Sequence, residues 1–580
     1  MNSAYPAIDP LDWNTIQPHV DALLAAELTP ARVRDWLQSW SDLATVLAEA
    51  YADIYRRITE NTADEAAASR FQQWVQTILP AWERAEQALR RKWLAVPGYE
   101  PTAETANLFR QFRVEAELFR DENVPILSEL RLLDKQYDEI VGGLTFTWEG
   151  ETKTIPQAAP LLQSPDRHGR EQVWRRALAA FLARRDDLDH LFLEMLERRR
   201  RLARNAGLPD FRAYQWRALG RFDYTPDDCL AFHEAIAQEV VPLATELYRQ
   251  LAAALGLDSL RPWETDLELP AFPTVDPHPT PIQAFASTAE LEETAHRIFR
   301  QVHPAFGEYF GAMRQGYLDL ASRPHKAPGG YCNGFPRSRQ PYIFMNAAGT
   351  AQNVLTLLHE GGHAFHFAEA IRHQTLLWNI HAPIEFAEVA SMSMELLSIP
   401  FWPRSAGGFY DEDDFRRVLA AKLRDLVFFL PYMAVVDGFQ HWLYAEAPET
   451  VDARDLDRAW SELWDRYLPG IDYSGLQTEK ATGWHRKGHI FGNPFYYVEY
   501  GLAQLGALQV WRNALQDQAT AVARYRAALA LGYTRSLPEL FATAGARFGF
   551  DRDLVRELMD LVREHLARLD HTPASTGTEL

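Results

Sequence analysis

His359-Glu360-Gly361-Gly362-His363 sets two imidazoles four residues apart with a carboxylate between them. On a helix, positions four apart lie about 40° from each other around the axis, so both rings leave one face. Two nitrogens placed that way can bind one Zn²⁺ at about 2.0–2.1 Å each. Glu360 sits about 100° round from His359, too far to join that face easily, but in reach of a water held there as a general base would be. The bland alternative is a solvated helix carrying two idle histidines.

The flanks weigh against that alternative. Asn353-Val354-Leu355-Thr356-Leu357-Leu358 leads in and Ala364-Phe365-His366-Phe367-Ala368 leads out, with no proline from Pro341 to Pro383. This predicts a buried helix that Thr350 or Asn353 could cap. Polar groups inside it need partners, and a metal would satisfy two imidazoles at once. Gly361-Gly362 opposes helicity, at about 1 kcal/mol per glycine, and such glycines persist where another backbone or a substrate must come close.

A catalytic zinc site takes three protein ligands and keeps one position open for water. Glu369, His381, Glu385 and Glu388 follow the motif, and Glu369 falls on the wrong side of the same helix. Glu385 and Glu388 share a face of the next predicted helix, with Glu395 two turns on. Spacing alone leaves both open as the third ligand.

The supporting elements are mainly helical. Residues 11–140 read as several amphipathic helices, and residues 144–155 alternate around Glu149-Gly150 as a hairpin. Helix resumes from 166 to 206, where the basic run Arg198 to Arg201 follows acidic residues and reads as a solvated face rather than a nucleic-acid patch. Pro262 to Pro281 reads as an irregular connection, and Gly329–Phe335 and Pro341–Asn346 as two strands before the histidine helix. Residues 385–570 are again helical. The expected division is an N-terminal helical region over 1–190, a catalytic region over 191–571 and a disordered tail over 572–580.

At 580 residues, 47% hydrophobic and 24% charged, the chain has an ordinary soluble composition and can bury a large core. A net charge of −20 argues against nucleic acid and anionic membrane as partners. No apolar run is long enough to span a bilayer, and the first residues show no signal peptide. Two distant cysteines, Cys229 and Cys332, exclude a disulfide scaffold and fit a cytoplasmic location. Cys332 has no paired base in the sequence and reads as a packed thiol.

His-Glu-x-Gly-His, the stretch Phe386-Ala387-Glu388-Val389-Ala390-Ser391 placed 25 residues past the second histidine, and His489-Ile490-Phe491-Gly492-Asn493-Pro494-Phe495-Tyr496-Tyr497-Val498-Glu499-Tyr500 stand in order along the chain. Together they resemble the thimet oligopeptidase/oligoendopeptidase F family of zinc metallopeptidases, and look most like its bacterial oligoendopeptidase F branch. The resemblance implies a mainly α fold of two helical lobes around a deep channel, with a small sheet beside the histidine helix. It implies one zinc per chain on His359, His363 and Glu388, with Glu360 as general base and Glu395 orienting an imidazole. It implies substrate or transition-state contacts from His489, Tyr497 and Tyr500, with Tyr496 a competitor for Tyr497. Ala347 and Ala348 resemble the edge that pairs with the substrate backbone. The expected activity is hydrolysis of internal bonds in short peptides. A zinc carboxypeptidase or dipeptidyl carboxypeptidase on the same metal site, or an inactive peptide-binding protein, are the other readings. Oligomeric state is not legible.

Overall fold

The computed structural model describes residues 8–265, 274–277 and 282–571. The expected tail at 572–580, and most of the proline-rich connection between Pro262 and Pro281, lie outside the described residues. The described chain is mainly helical, with a two-stranded and a three-stranded sheet.

Apolar burial divides the helices into two main packing units. Residues from Ile16 to Phe112, rich in tryptophan (Trp36, Trp40, Trp74, Trp82, Trp93), form one core, which Leu376, Leu377 and Trp378 join from later in the chain. A far larger core runs from Leu118 to Leu566. The boundary expected at 190 therefore does not coincide with a break in packing. It falls inside the helix Arg185–Asn205, whose Leu188, Leu191 and Phe192 belong to the large core.

The hairpin forms where its alternation placed it, as β1 (Thr145–Trp148) and β2 (Glu151–Thr154), antiparallel with Thr145 opposite Thr154. Glu149 and Gly150 both have positive φ, 50° and 83°, the turn whose twist matches a two-residue hairpin.

The second sheet carries the site. β3 (Leu318–Ala321) runs parallel to β5 (Gln340–Ala347), and β4 (Tyr331–Phe335) runs antiparallel to β5 on its other side. β5 is thus the middle strand and β4 an edge. The helix Val33–Glu60 lies against β4, where Thr59 Oγ1 meets the Tyr331 hydroxyl at 2.7 Å.

β5 leads directly into the histidine helix, Ala351–His373. Thr350 and Asn353 both take part in its start: the Thr350 hydroxyl accepts from Asn353 N at 3.2 Å, and Asn353 Oδ1 accepts from Thr350 N at 3.2 Å. Beside it packs the glutamate helix, Ile384–Leu397, which in turn carries the tyrosine helix, Tyr497–Gln516, on its other side. Behind them runs the 34-residue helix Glu412–Ala445, capped by Asp411 and acidic in its first turn, as its dipole favours. It is the spine of the large unit. Lys422, Phe429, Tyr432 and Gln440 all leave it toward the site-bearing segments.

Candidate active site

His359, His363 and Glu388 converge, each offering one donor atom within 4.8 Å of the others. Glu388 Oε2 lies 3.4 Å from His359 Nε2 and 3.7 Å from His363 Nε2. Donors about 2.0–2.1 Å from one tetrahedral ion stand about 3.3 Å apart, so this spacing suits Zn²⁺. The helix pair meets at Gly362, where a Cβ would sit 2.5 Å from Ser391 Cα and 2.6 Å from Ala390 O. A Cβ on Gly361 would strike the Phe299 ring tip at 2.5 Å. Both glycines are close-approach residues, and Gly362 lets the glutamate helix bring Glu388 to the histidines.

Electrostatics favour a cation between these groups. Glu395 Oε1 takes the Nδ1 proton of His359 at 2.8 Å, which leaves Nε2 as the ligand atom, while Lys422 pairs with the other oxygen. Burial alone would raise Glu395, but Lys422 and His359 overrule it and bring it down to about 2. Burial also opposes charge on His359, yet Glu388 and Glu395 outweigh it and hold a proton there up to about 10. Two carboxylates around one imidazole demand positive charge, and a divalent metal would meet the same demand. Burial brings His363 down to about 4, keeping its ring neutral as a ligand must be. Ser391 Oγ donates to Glu388 Oε2 at 2.9 Å and fixes its rotamer.

Glu385, which spacing left level with Glu388, points elsewhere. It accepts from the Tyr224 hydroxyl at 2.7 Å and faces the buried Arg221–Glu499 pair. Glu369, set aside from its position on the helix, bonds Arg526 at 2.7 Å. Glu360 is buried, and burial pushes its carboxyl up to about 7, where it can exchange a proton near neutrality. Its neighbour is β4, whose Cys332 offers it a backbone N–H. The Cys332 thiol itself is raised by burial and stays protonated.

Two expectations change. β5 is an interior strand: Ala347 pairs with Ala321 of β3, and Asn353 takes the Ala348 N–H at 2.7 Å. The outer sheet edge next to Glu360 therefore belongs to β4, not to Ala347 and Ala348. Tyr497, expected beside the reacting centre, is buried against Phe429 and Tyr432 with the Lys487 ammonium 3.8 Å over its ring. Tyr496 and Tyr500, four apart and only half-buried, are the pair whose hydroxyls feel Glu388. The Tyr496 and Tyr500 hydroxyls are hydrogen-bond neighbours, and burial keeps the Tyr500 phenol protonated up to about 12. His489 stacks among these rings, 5.0–6.2 Å between centroids, and burial with the Lys487 charge brings it down to about 4.

Residues 160–560 match peptidase family M3, well over half of the chain. The chain belongs to peptidase family M3. Oligopeptidase PepF of Bacillus subtilis (strain 168) is 25% identical over 267 residues, a stretch that spans 44% of this chain but only 38% of that relative. A solved putative oligoendopeptidase F is 27% identical with a TM-score of 0.84, covering 98% of this chain and 97% of its own. PZ peptidase A, solved with an inhibitor, shares the fold at a TM-score of 0.85 and 24% identity, covering 98% and 99%.

Two arginines of this M3 chain support the His489–Tyr500 segment, and neither was singled out from sequence. Arg199 was expected on a solvated face. Instead it is buried, bonds the Tyr444 hydroxyl at 2.7 Å, and donates to the carbonyls of Ile490 and Phe491. Arg221 donates to Phe495 O and to Glu499 Oε1, the latter at 2.7 Å, while Gln440 accepts from Phe495 N at 2.7 Å. Phe495 is thereby held at φ +67°, a left-handed turn that a bulky residue adopts only when its surroundings impose it. A basic residue beside apolar positions was the available signal, but paired acids nearby masked it. Beside the glutamate helix lies a cavity of about 470 Å³ walled in part by Phe112, Trp378, Glu385, Tyr496 and Tyr533.

Proposed function

We propose that this M3 chain is a zinc-dependent oligoendopeptidase that cuts internal bonds of short peptides. The observation that carries the reading is the convergence of His359, His363 and Glu388, with Glu395 holding the far nitrogen of His359. Zinc bound there would lower the pKa of its water toward about 7 and polarise the scissile carbonyl.

The chain's own groups do the rest. Glu360 takes a proton from the attacking water on its carboxylate and delivers it to the leaving nitrogen. Tyr500, with Tyr496 hydrogen-bonded behind it, donates its hydroxyl proton to the carbonyl oxygen as negative charge builds there. His489, neutral at pH 7, adds a ring N–H or orients the tyrosines. The outer edge of β4 offers backbone groups to an extended peptide, as strand addition requires. The cavity beside Tyr496 is suited to a substrate side chain. A cytoplasmic setting belongs to this reading and is supported by two free thiols, Cys229 and Cys332.

The test pairs metal analysis with product mapping. Glu388→Gln should lose zinc on dialysis whereas Glu385→Gln should keep it. Activity abolished by a chelator should return with added Zn²⁺. Peptides blocked at both ends should be cut internally. Zinc lost from Glu385→Gln but not from Glu388→Gln, or release only from free C-termini, would overturn the assignment.

A further inference from the structure

A second group of metal-type donors lies in the large core, away from the site above. Cys229, Asp437 and His441 each bring one donor atom within 4.8 Å of the others, and all three are buried. His233 joins them through Asp437, its Nε2 2.9 Å from Oδ2, while His441 Nε2 stands 3.2 Å from the same oxygen. Lys422 and Asp437 share one helix 15 residues apart, which sets this cluster roughly 22 Å along the axis from the zinc-type site.

The arrangement has a simple source. Cys229 and His233 are four apart on the helix Pro226–Ala235 and its continuation, and Asp437 and His441 are four apart on the spine. Each pair presents two donors from one helix face, the same device that His359 and His363 use. The pairs face each other in a region with essentially no solvent contact: Cys229 and Asp437 are 0% exposed, His441 1% and His233 3%.

Against burial, both imidazoles pull the Asp437 carboxyl well down, yet the hydrogen bonds within this cluster are poorly aligned. Both Asp437 oxygens and the Nε2 atoms of His233 and His441 make no hydrogen bond of acceptable geometry despite their short separations. Buried polar atoms without partners are uncommon and call for an explanation. Three donor atoms that crowd one point, with His233 Nε2 beside the Asp437 carboxylate as a fourth in reach, have the form of a coordination shell. The separations of 2.9 and 3.2 Å from Asp437 Oδ2 compare with about 3.3 Å between donors on a tetrahedral zinc.

We propose that Cys229, His233, Asp437 and His441 form a structural site for a second divalent cation of the zinc class. A thiolate, a carboxylate and two neutral imidazoles around a dication sum to zero charge, which suits a fully desolvated site. Four protein ligands leave no open position, so the site is structural rather than catalytic. Binding replaces the Cys229 thiol proton, which leaves to solvent. Arg212 Nη1, 3.2 Å from His441 Nδ1, must swing aside, because that nitrogen carries the ring proton once Nε2 is a ligand. Arg212 is half-buried, so its guanidinium has solvent on one side.

Full-length protein made in zinc-supplemented medium should contain two zinc per chain. Dialysis against a chelator until peptidase activity is gone should leave one, because the buried ion exchanges slowly. Protein made in cobalt-supplemented medium should show a thiolate-to-cobalt charge-transfer band, which the His359–His363–Glu388 set cannot give. That band should vanish in Cys229→Ser and persist in Cys332→Ser. Should Cys229→Ser not fold, the His359→Gln/His363→Gln variant answers from the other side, since it should keep one metal and the band. One zinc per chain with no charge-transfer band, or no metal in the His359→Gln/His363→Gln variant, would overturn the proposal. Two metals retained in that double variant would instead count against the catalytic site.

Discussion

Glu360 is the residue on which turnover should depend while metal binding does not. Glu360→Gln removes the proton acceptor but none of the converging donors, so it should retain zinc and lose about 10²–10⁴-fold in kcat. Elemental analysis beside steady-state kinetics checks both halves, and a variant that loses its zinc would make Glu360 a ligand. Among the tyrosines, Tyr500→Phe should lower kcat by about 10²-fold or more, with KM little changed, as the loss of a donor to a developing oxyanion does. Tyr497→Phe should leave kcat close to the parent. A reversed order would put Tyr497, which sequence named beside Tyr500, at the reacting centre instead. Lys487 offers a stability test with a definite sign. Burial brings its ammonium down to about 7, against about 10.4 in an unfolded chain, although the Tyr497 and Tyr432 ring faces return part of that cost. Between those values the unfolded chain holds a proton the folded one lacks, so the parent gains stability as pH rises. Lys487→Met should therefore raise Tm most at pH 7 and below, with the advantage fading toward pH 10. A Tm difference that does not change over that range would refute the buried-charge account.

At the scale of elements, the histidine helix was legible because its spacing, apolar flanks and cap are local. The hairpin was legible for the same reason. The order of the second sheet was not: β3 joins β5 in parallel, a pairing between segments about 20 residues apart that no local pattern encodes. That is why Ala347 and Ala348 were expected at an edge that belongs to β4. Sequence left Tyr496 and Tyr497 open against each other, because the left-handed turn at Phe495 precedes the helix and its partners, Arg221 and Gln440, lie more than 50 residues away. Glu385 and Glu388 could not be separated by spacing since both are buried, one toward the histidines and one toward Tyr224. The crossing at Gly362 gives the test at this scale. Gly362→Ala forces a methyl into the backbone of the facing helix, an overpacking that costs about 1–3 kcal/mol, and pushes Glu388 outward. Zinc should be lost on dialysis at a chelator concentration the parent withstands. Gly361→Ala meets only a ring tip and should keep its metal better. Equal zinc retention by parent and Gly362→Ala would show that this crossing does not set the ligand spacing.

At the scale of the molecule, a mainly helical fold was expected from the family resemblance, and helical periodicity supported it. Two lobes were expected from the same resemblance, but where one packing unit gives way to the other, between Phe112 and Leu118, was not legible, because helices of either unit look alike until their apolar faces are matched. The whole-molecule prediction concerns substrate size. A single extended strand is a few ångströms thick, whereas a folded domain of 100 residues has a radius of gyration of about 13 Å, and the ligands sit between packed helices. A ladder of end-blocked peptides assayed beside casein and a folded protein should show internal cuts in the short peptides and little loss of the proteins. Rapid digestion of casein would refute a size limit.

The N-terminal packing unit contributes none of the converging metal-type donors, though its Phe112 walls the cavity beside Tyr496. Its contacts with the remainder include Leu376, Trp40 against Trp378 at 4.5 Å, Asn107 on Tyr533 O at 3.0 Å, Tyr342 on Glu60 at 2.9 Å and the helix laid on β4. A hinge motion of that unit would thus widen or narrow the approach to Glu360 while leaving His359, His363 and Glu388 where they are. Admission of a peptide and retention of a metal would then fall to different packing units, and such an opening would leave the ligand spacing untouched.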